Sequence, residues 1–379
     1  MDYKNTYVKY YKKHIYNKLN HHLYSFNKKK YNFFIVIPIY NEYDYILDTL
    51  NSIQYQDKDF LKNTLSIFVI NNSQNAAAAI VNNNKKTHKL IVKQSYKFEY
   101  AILDYYSSKN AFPHNSSGVG YARKVGMDFA LQYSKQESLL CCVDADTILN
   151  QQYLSTVNSF FKDKKKLACT VNFIHQKSTD KKIERGIRIY ENELKRMAAK
   201  LYEAASPYSY VSMGSTIVCR INAYIAVSGM PKKSATEDFY FLQALAKFTT
   251  IHFIEDILVY PSSRCEQRVY LGTGARMKEY KKHDKFNNII YSDDAYETLK
   301  LFLSIIKNFS MKEYNIIHKR ILKLNNNKLN KFLLNNNFKQ IWVTIQSTAK
   351  TRKQFELFFN QWFDALKTLK FLKQLSQKI

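Results

Sequence analysis

The chain has 379 residues, 46% of them hydrophobic, which excludes wholesale disorder and allows one large α/β domain with an extension, or two domains. The formal net charge of +27 either attracts a polyanion (nucleic acid, anionic lipid or a nucleotide diphosphate) or reflects a compositional bias toward Lys and Asn. The five cysteines include no C-x-x-C pair, which argues against a zinc ribbon or a disulfide framework and fits a reducing cytosol.

Residues 1–30 are predicted to form a basic N-terminal lead-in. This segment lacks the apolar region of a signal peptide, and no apolar run in the chain reaches the roughly 18 residues that a membrane span needs. We therefore expect a cytoplasmic protein that is either soluble or peripheral on the inner face of a membrane.

Buried strands alternate with helices over residues 31–275, a rhythm typical of a mainly parallel sheet flanked by helices. Asn41 and Asp44 are candidate caps of the first helix, whose apolar face is Ile46, Leu47, Leu50 and Ile53. The predicted strands are 33–37, broken at Pro38, then 65–70, 88–92, 139–143 and 215–219. The further helices are predicted within 118–133, after a glycine-rich turn, then at 151–162, at 183–204 and from Asp238 onward.

Residues 285–379 lose the strand pattern and are rich in Asn, Lys, Leu and Phe, which predicts a mostly helical C-terminal region over 276–379. An apolar stripe at helical spacing runs through Phe355, Phe358, Phe359, Trp362, Leu366 and Leu369. The stripe indicates a helix that packs on the core, with a basic amphipathic helix lying on a membrane as the alternative.

Asp144 and Asp146 come directly after the apolar run 139–143, which reads as a short buried strand. Two carboxylates separated by one residue at a strand end point to the same edge of the sheet, and ligands of α/β folds bind at that edge. Carboxylate oxygens suit Mg²⁺ or Mn²⁺, ions that often bind together with a substrate diphosphate. Alone, this triplet is weak support for a metal site.

Five segments together resemble glycosyltransferase family 2, the inverting nucleotide-sugar transferases of GT-A fold, and they occur in the order of that family. They are 35–42 (IVIPIYNE), 70–73 (INNS), 118–126 (GVGYARKVG), 144–146 (DAD) and 236–238 (TED). The resemblance covers residues 31–275 and implies a GT-A catalytic domain there, with 276–379 as a helical extension.

The resemblance implies a donor-nucleotide site at the carboxyl ends of the first strands. The residues carried over to it are Pro38, Tyr40, Asn41, Glu42, Asn71, Arg123 and Asp144. Asn71 stands where many relatives have an Asp that grips uracil. A UDP-sugar is favoured as the donor, but this departure leaves the choice of base open.

The resemblance also implies a divalent cation and a catalytic base. Asp146 would ligate Mn²⁺ or Mg²⁺, while Asp144 contacts the ribose or a water on the metal. Asp238 would act as the general base on the acceptor hydroxyl, and Glu237 would position the acceptor or Asp238. The alternative for both acids is a helix N-terminus that is acidic because this favours the helix dipole.

Basic residues after the last strand are candidates for a loop that closes over the diphosphate: Arg264, Arg268 and Arg276. The alternative is an ordinary surface turn. Lys124 replaces the Asn that is usual in the family, and the Q-x-x-R-W motif of processive relatives is absent. The missing motif argues against a polymerising synthase.

We therefore expect a metal-dependent inverting glycosyltransferase that transfers a sugar from a nucleoside diphosphate sugar to a hydroxyl of a glycan or glycolipid acceptor. Surface polysaccharide biosynthesis at an anionic membrane is the hypothesised setting. A sugar-nucleotide pyrophosphorylase is disfavoured, because its glycine-rich loop would follow the first strand, where residues 38–41 stand. A basic nucleic-acid-binding protein is disfavoured because the Lys and Arg residues are scattered along the chain.

Overall fold

The structure, a computed structural model, describes residues 3–14, 21–22, 26–27, 29–266, 272–286 and 289–377. The helices are α1 (Tyr3–His14), α2 (Ile46–Gln54), α3 (Lys58–Leu61), α4 (Ala78–Lys93), α5 (Val119–Leu131), α6 (Tyr153–Phe160), α7 (Lys181–Glu203), α8 (Ile221–Ala226), α9 (Glu237–Phe248), α10 (Thr273–His283), α11 (Asp293–Asn308), α12 (Tyr314–Leu322), α13 (Asn327–Asn335), α14 (Phe338–Thr348), α15 (Arg352–Trp362) and α16 (Ala365–Ser376). The strands are β1 (His21–His22), β2 (Tyr31–Ile39), β3 (Thr64–Asn71), β4 (Glu99–Tyr105), β5 (Ser134–Cys142), β6 (Ile148–Leu149), β7 (Ala168–Phe173), β8 (Ile217–Arg220) and β9 (Ile251–Tyr260).

The strands form one sheet in the order β1-β4-β3-β2-β5-β8-β7-β9-β6. The predicted parallel arrangement is confirmed for β4, β3, β2 and β5, whose carboxyl ends meet at one edge. Beyond β5 the sheet is mixed, because β8 runs antiparallel to both β5 and β7. Residues of β3 are buried along its whole length, as expected for a strand with a neighbour on each side and helices on its faces.

The first strand does not end at Pro38, where the sequence predicts a break. It continues to Ile39 in register with β3, while its pairing with β5 stops at Val36 opposite Cys142. The Val36 carbonyl accepts a hydrogen bond from the β5 side of the strand. The backbone nitrogen of Pro38, two residues later, faces the same side. No sheet hydrogen bond is lost there, because β5 has already ended.

Two sequence-based assignments in the first half of the chain are wrong. Residues 88–92, predicted as a strand, belong to α4, and the strand of this region is β4. Asn41 and Asp44 do not cap α2, because Tyr45 occupies the N-cap position without a side-chain hydrogen bond. Of the predicted apolar face of α2, Ile46, Leu50 and Ile53 are buried, but Leu47 is exposed.

The chain divides into two compact units. Residues 1–188 and 212–284 form the sheet unit, and residues 189–211 and 285–379 form the helical unit. The boundaries at residues 30 and 275 that the sequence suggests stay predictions. None of the helices in the described residues is long and apolar enough to cross a membrane.

The helical unit has an aromatic core of its own, in which Phe302, Trp342 and Phe371 are fully buried. The apolar stripe of the sequence is divided between α15 and α16 and packs into this core: Phe355 and Phe359 are buried, and Phe358, Trp362 and Leu369 lie against it. This arrangement agrees with the packing interpretation of the stripe. Leu366, its remaining member, is 36% exposed.

A buried polar network that includes the Lys124 ammonium attaches α1 to the rest of the sheet unit. The Lys124 ammonium donates to Asp128 at 2.9 Å and to the Tyr10 hydroxyl at 2.7 Å. The hydroxyls of Tyr10 and Tyr224 each donate to Asp128 at 2.8 Å. Burial lowers the pKa of Lys124 and raises that of Asp128, so each charge depends on the other for compensation.

Candidate active site

The glycine-rich turn before α5 lets another part of the chain approach closely. Gly118 has a φ of 118°, and a β-carbon there would lie 2.6 Å from the Ser234 α-carbon. A β-carbon on Gly120 would lie 2.4 Å from the Lys233 carbonyl oxygen, to which the Gly120 amide donates at 3.1 Å. The space that these glycines leave is filled by the segment that leads into α9.

Arg123, in the first turns of α5, joins two of the predicted acids. Its guanidinium pairs with Asp144, just after β5, and with Glu237, the first residue of α9. The Arg123 side chain is only 3% exposed. Burial opposes its charge, but the two carboxylates outweigh burial, and the pKa of Arg123 is raised.

Gly214 belongs to this site, although sequence reasoning missed it. A β-carbon at Gly214 would lie 2.0 Å from a guanidinium nitrogen of Arg123. Any larger residue would displace that side chain. The sequence offers no direct signal for the contact, since Gly214 and Arg123 are far apart along the chain.

Glu237 and Asp238 lie in the first turn of α9, and the residue before them is strained. Thr236 has a φ of 63°, in the left-handed region, which a β-branched residue rarely adopts. Burial raises the pKa of Glu237 to about 7 against the opposing charge of Arg123. Burial also raises the pKa of Asp238, and the charge of Asp144 acts in the same direction.

Arg264 forms a second junction of acids. Its guanidinium lies 2.8 Å from the Asp146 carboxylate and 2.8 Å from the Glu42 carboxylate. It also stacks over the Tyr45 ring at 4.2 Å from the centroid. Burial opposes the charge of Arg264, but Asp146 and Glu42 outweigh it and raise its pKa. Glu42 of the predicted donor site and the predicted metal ligand Asp146 therefore share one arginine.

A network of asparagines holds the carboxyl ends of β2 and β3. The Asn71 amide nitrogen donates to the carbonyls of Ile39 and Val69 at 2.9 and 3.1 Å. Asn84 of α4 donates to the Asn71 carbonyl at 3.0 Å and accepts from the Asn41 amide at 3.0 Å. Sequence reasoning missed Asn84, which fixes Asn41 in its left-handed conformation, with a φ of 61°.

The remaining predicted residues are dispersed. Pro38 and Tyr40 lie at the end of β2, beside the asparagine network. Arg276 lies in α10, where it pairs with Glu279 at 2.8 Å. Arg268 lies outside the described residues. Of the predicted arginine loop, Arg264 contacts the predicted donor-site residue Glu42.

Asp104 is a buried carboxylate at the end of β4 that the sequence reading overlooked. It accepts from the backbone amides of Tyr106 and Ser107, each at 3.0 Å, and from the Ser107 hydroxyl at 2.7 Å. Burial alone would raise its pKa, but these hydrogen bonds outweigh burial and lower it. An Asp followed by a Ser three residues later is a turn signal, and it could have predicted that Asp104 accepts hydrogen bonds from the turn after β4.

Asp144 and Asp146 have the chemistry to hold a divalent cation, as two hard oxygen ligands at a strand end. No three His, Cys, Asp or Glu side chains in the described residues gather into a complete metal site. Incomplete protein ligation suits Mg²⁺ or Mn²⁺, which take further ligands from water and substrate phosphates. Asp144 and Asp146 therefore fit a divalent cation that takes its remaining ligands from water and a substrate.

The family model for glycosyl transferase family 2 matches residues 34–216. Residues 34–216 form a glycosyltransferase family 2 domain. The mixed sheet flanked by helices is the architecture that the predicted GT-A class requires, and that class is confirmed. The match includes the segments at 35–42, 118–126 and 144–146 and ends before 236–238, so the assignment of Asp238 stays a prediction.

Solved structures similar to this glycosyltransferase include other glycosyltransferases. TarS residues 1–349 from S. aureus, in complex with UDP-GlcNAc, is 13% identical over 88% of this chain and 80% of its own, with a TM-score of 0.42. The mannosyltransferase PcManGT from Pyrobaculum calidifontis, in complex with GDP-Man and Mn²⁺, is 13% identical over 98% of this chain and 92% of its own, with a TM-score of 0.41. No curated protein sequence matches the chain significantly.

Proposed function

We propose that this glycosyltransferase moves a sugar, with inversion at the anomeric carbon, from a nucleoside diphosphate sugar to a hydroxyl of a glycan or glycolipid acceptor. The observation that carries the proposal is the Arg123 bridge between Asp144 and Glu237. Because of this bridge, Asp144, which follows β5, and Glu237, which begins α9, belong to one cluster. A displacement reaction needs the groups that act on the donor and those that act on the acceptor to lie within one site.

On the donor side, Pro38, Tyr40, Asn41 and Glu42 would contact the nucleotide. The Asn71 amide nitrogen already donates to two backbone carbonyls, so a contact with a base would use its side-chain oxygen. Such an oxygen can accept the N–H of uracil, which supports a UDP-sugar as the favoured donor.

Asp146, with Asp144 beside it, would hold Mn²⁺ or Mg²⁺. The bound cation would neutralise the charge that develops on the departing nucleoside diphosphate. Arg264 neutralises Asp146 and Glu42 without any ligand, at 2.8 Å from each carboxylate. Its guanidinium would turn from these carboxylates to the donor diphosphate when the donor binds.

On the acceptor side, Asp238 would remove the proton of the acceptor hydroxyl. The hydroxyl oxygen forms its bond to the anomeric carbon as the bond from that carbon to the diphosphate oxygen breaks, and the proton passes to Asp238. Burial raises the pKa of Asp238, which makes its ionised form a stronger base than an exposed aspartate. Arg123 holds Glu237, which would position the acceptor or Asp238.

The net charge of +27 suggests that the enzyme works beside an anionic membrane surface in the cytoplasm, during surface polysaccharide assembly. Sedimentation with phosphatidylglycerol vesicles at physiological salt tests this setting. Binding that is lost in neutral phosphatidylcholine vesicles would support it, and failure to sediment with either would remove it.

Nucleotide-sugar turnover tests the proposed reaction even before the acceptor is identified, because water can replace the acceptor hydroxyl. We expect the protein to release a nucleoside diphosphate from at least one nucleotide sugar in the presence of Mn²⁺. Proton NMR of the first sugar product should give the anomer opposite to the donor's. Release with retained configuration would refute inversion, and no release from any of the UDP- or GDP-sugars would refute the reaction.

A further inference from the structure

Asn84 of α4 links the carboxyl ends of β2 and β3, and it lies outside the sequence segments that indicated the donor site. Its side chain is fully buried. The amide nitrogen donates to the Asn71 carbonyl at 3.0 Å and to the Asn72 side-chain oxygen at 2.9 Å. The amide oxygen accepts from the Asn41 backbone amide at 3.0 Å. Both N–H groups of Asn84 and its oxygen are therefore used to connect the two strand ends.

The loop after β2 is fastened to α4 at two points. The Asn83 side-chain oxygen accepts from the Tyr43 backbone amide at 3.1 Å, next to the contact of Asn84 with Asn41. Asn41 has a φ of 61°, in the left-handed region, and a backbone in that region needs surrounding contacts to hold it there. The two asparagines of α4 therefore determine the path of a loop that carries proposed nucleotide contacts.

The side chain of Asn71 has one defined orientation. Its amide nitrogen donates to the Ile39 and Val69 carbonyls at 2.9 and 3.1 Å, so both of its N–H groups are used. A flipped amide would place its oxygen against those two carbonyl oxygens, with no hydrogen bond to either. The side-chain oxygen is therefore the group of Asn71 that can meet a base, and it can only accept.

A hydrogen-bond acceptor at this position distinguishes the two pyrimidines. N3 of uracil carries a hydrogen and can donate it, whereas N3 of cytosine carries none and is itself an acceptor. Two acceptors that face each other form no hydrogen bond and both remain unsatisfied, which disfavours cytosine. The distinction depends on the distance between the Asn71 oxygen and the base, and therefore on what holds the strand end in place.

We propose that Asn84 is a positioning residue for the donor base, which holds Asn41 and Asn71 at one separation and thereby sets the affinity for a uridine nucleotide and the preference for it over a cytidine nucleotide. The inference rests on the proposed function and names a residue that determines the specificity of its donor site. Without the N–H groups of Asn84, the end of β3 loses its connection to α4 and can shift relative to the loop after β2. A shift of about 1 Å takes an acceptor out of hydrogen-bonding range of its donor.

The test measures binding of UDP and CDP by calorimetry in the presence of Mg²⁺. The principal variant is Asn84→Asp, which keeps the shape of the side chain and the oxygen that accepts from the Asn41 amide but removes both N–H groups. Asn84→Ser, a smaller and neutral replacement, is the second variant. One control is Asn82→Asp, which makes the same change at an exposed position of α4. The other is Thr87→Val, which removes a buried hydroxyl of the same helix. Melting temperature and circular dichroism establish which variants fold.

The wild type should bind UDP at least about tenfold more tightly than CDP. Both Asn84 variants should lose at least about tenfold in UDP affinity and less in CDP affinity, so that the preference for UDP shrinks. In hydrolysis of a UDP-sugar, KM should rise while kcat stays unchanged, because the proposed cation ligands and base are not altered. Both controls should keep the wild-type affinities.

Wild-type UDP affinity in a folded Asn84 variant, an equal loss of UDP and CDP affinity, or a wild type without preference for UDP would overturn the inference. A fall in kcat at unchanged KM would also overturn it, because a smaller folded fraction has that effect. Unfolding of both Asn84 variants would show that the residue serves the fold and not the base.

Nucleotide-sugar hydrolysis by the wild type separates the two proposals. If the wild type hydrolyses a nucleotide sugar while the Asn84 variants keep its affinity and preference for UDP, only the assignment of Asn84 fails. If the wild type hydrolyses none of the UDP- or GDP-sugars, the proposed function itself fails.

Discussion

Two arginines organise the acidic residues of the site: Arg123 is buried and Arg264 is half-buried. Arg123 compensates Asp144 and Glu237, and Arg264 compensates Glu42 and Asp146. Removal of one partner from such a pair leaves a buried charge without compensation, which commonly costs about 3–5 kcal/mol of stability. Each arginine is therefore a structural requirement of the protein as well as a candidate contact of the donor.

The position of Arg264 predicts an effect on metal affinity. Arg264→Ala removes the guanidinium that neutralises the carboxylates of Asp146 and Glu42. Mn²⁺ should therefore bind the nucleotide-free variant at least about tenfold more tightly than it binds the wild type. Titration followed by electron paramagnetic resonance of free Mn²⁺ measures this. Arg264→Lys keeps the positive charge and should remain near the wild-type affinity.

An Arg264→Ala protein that binds Mn²⁺ no better than the wild type would contradict the idea that Arg264 and the cation compete for the same carboxylates. The combined variant Asp146→Ala with Arg264→Ala provides a further check, because it should lose the gain in affinity.

The raised pKa values in α9 predict the pH dependence of turnover. A general base works when it is deprotonated, so activity is full above its pKa in the folded enzyme and is lost as the pH falls through that value. Burial raises the pKa of Asp238, so the acid limb of kcat/KM should lie above the ~3.9 of an exposed aspartate. An acid limb at the ordinary aspartate value, or none, would argue against Asp238 as the base.

Residue types were predictable at this site, whereas their partners were not. The sequence places Asp144 and Asp146 after a strand and Glu237 at a helix start, because hydrophobic patterning and short motifs are local signals. The Glu42–Arg264 contact joins residues 222 positions apart, which no local pattern reveals. The space for Arg123 above Gly214 is equally invisible in the sequence, because it depends on tertiary packing.

At the scale of elements, the central strands were predictable and the region 78–105 was not. The run 88–92 is short and ends on three apolar residues, two of them β-branched, and such a run cannot be distinguished from a buried helical segment by its periodicity. In α4, Ile91 is buried while Val92 is 40% exposed, as a helix requires. The true strand β4 carries acids at Glu99 and Asp104, which weaken its hydrophobic signal.

The attachment of α1 through a polar network predicts a loss of stability without a change at the site. Tyr10→Phe removes a hydroxyl that bonds both Lys124 and Asp128, which should lower the free energy of unfolding by about 1–3 kcal/mol. Urea denaturation followed by circular dichroism measures it. Tyr11→Phe, on the same helix at an exposed position, is the control and should change nothing. Equal stability of the two variants would show that the network does not hold α1.

At the scale of the whole molecule, the sequence indicates a helical C-terminal region, but the unit that contains it also takes in residues 189–211. Helix α7 begins in the sheet unit and ends in the helical unit. The 23-residue length of that helix gives no sequence signal of a boundary inside it. Composition therefore locates the second unit only approximately.

The aromatic core of the helical unit predicts where its stability lies. Phe302 is fully buried and contacts four other phenylalanines, so Phe302→Ala should cost about 3–5 kcal/mol. Hydrogen exchange should show lost protection in α11 to α16 while β2 and β3 keep theirs. Leu334→Ala, at a side chain that is 78% exposed, is the matched control. Loss of protection that is equal in both units would contradict separate cores.

The central claim is that a cation-binding carboxylate and a catalytic base act on one nucleotide sugar, and the two variants Asp146→Ala and Asp238→Asn test it in one assay. Donor binding is measured by thermal shift with and without Mn²⁺, and turnover by release of nucleoside diphosphate from the same sugar donor. We predict that Asp146→Ala loses the Mn²⁺-dependent shift, and that Asp238→Asn keeps this shift but turns over at least about a hundredfold more slowly. Wild-type turnover in Asp238→Asn, or an undiminished donor shift in Asp146→Ala, would contradict the account.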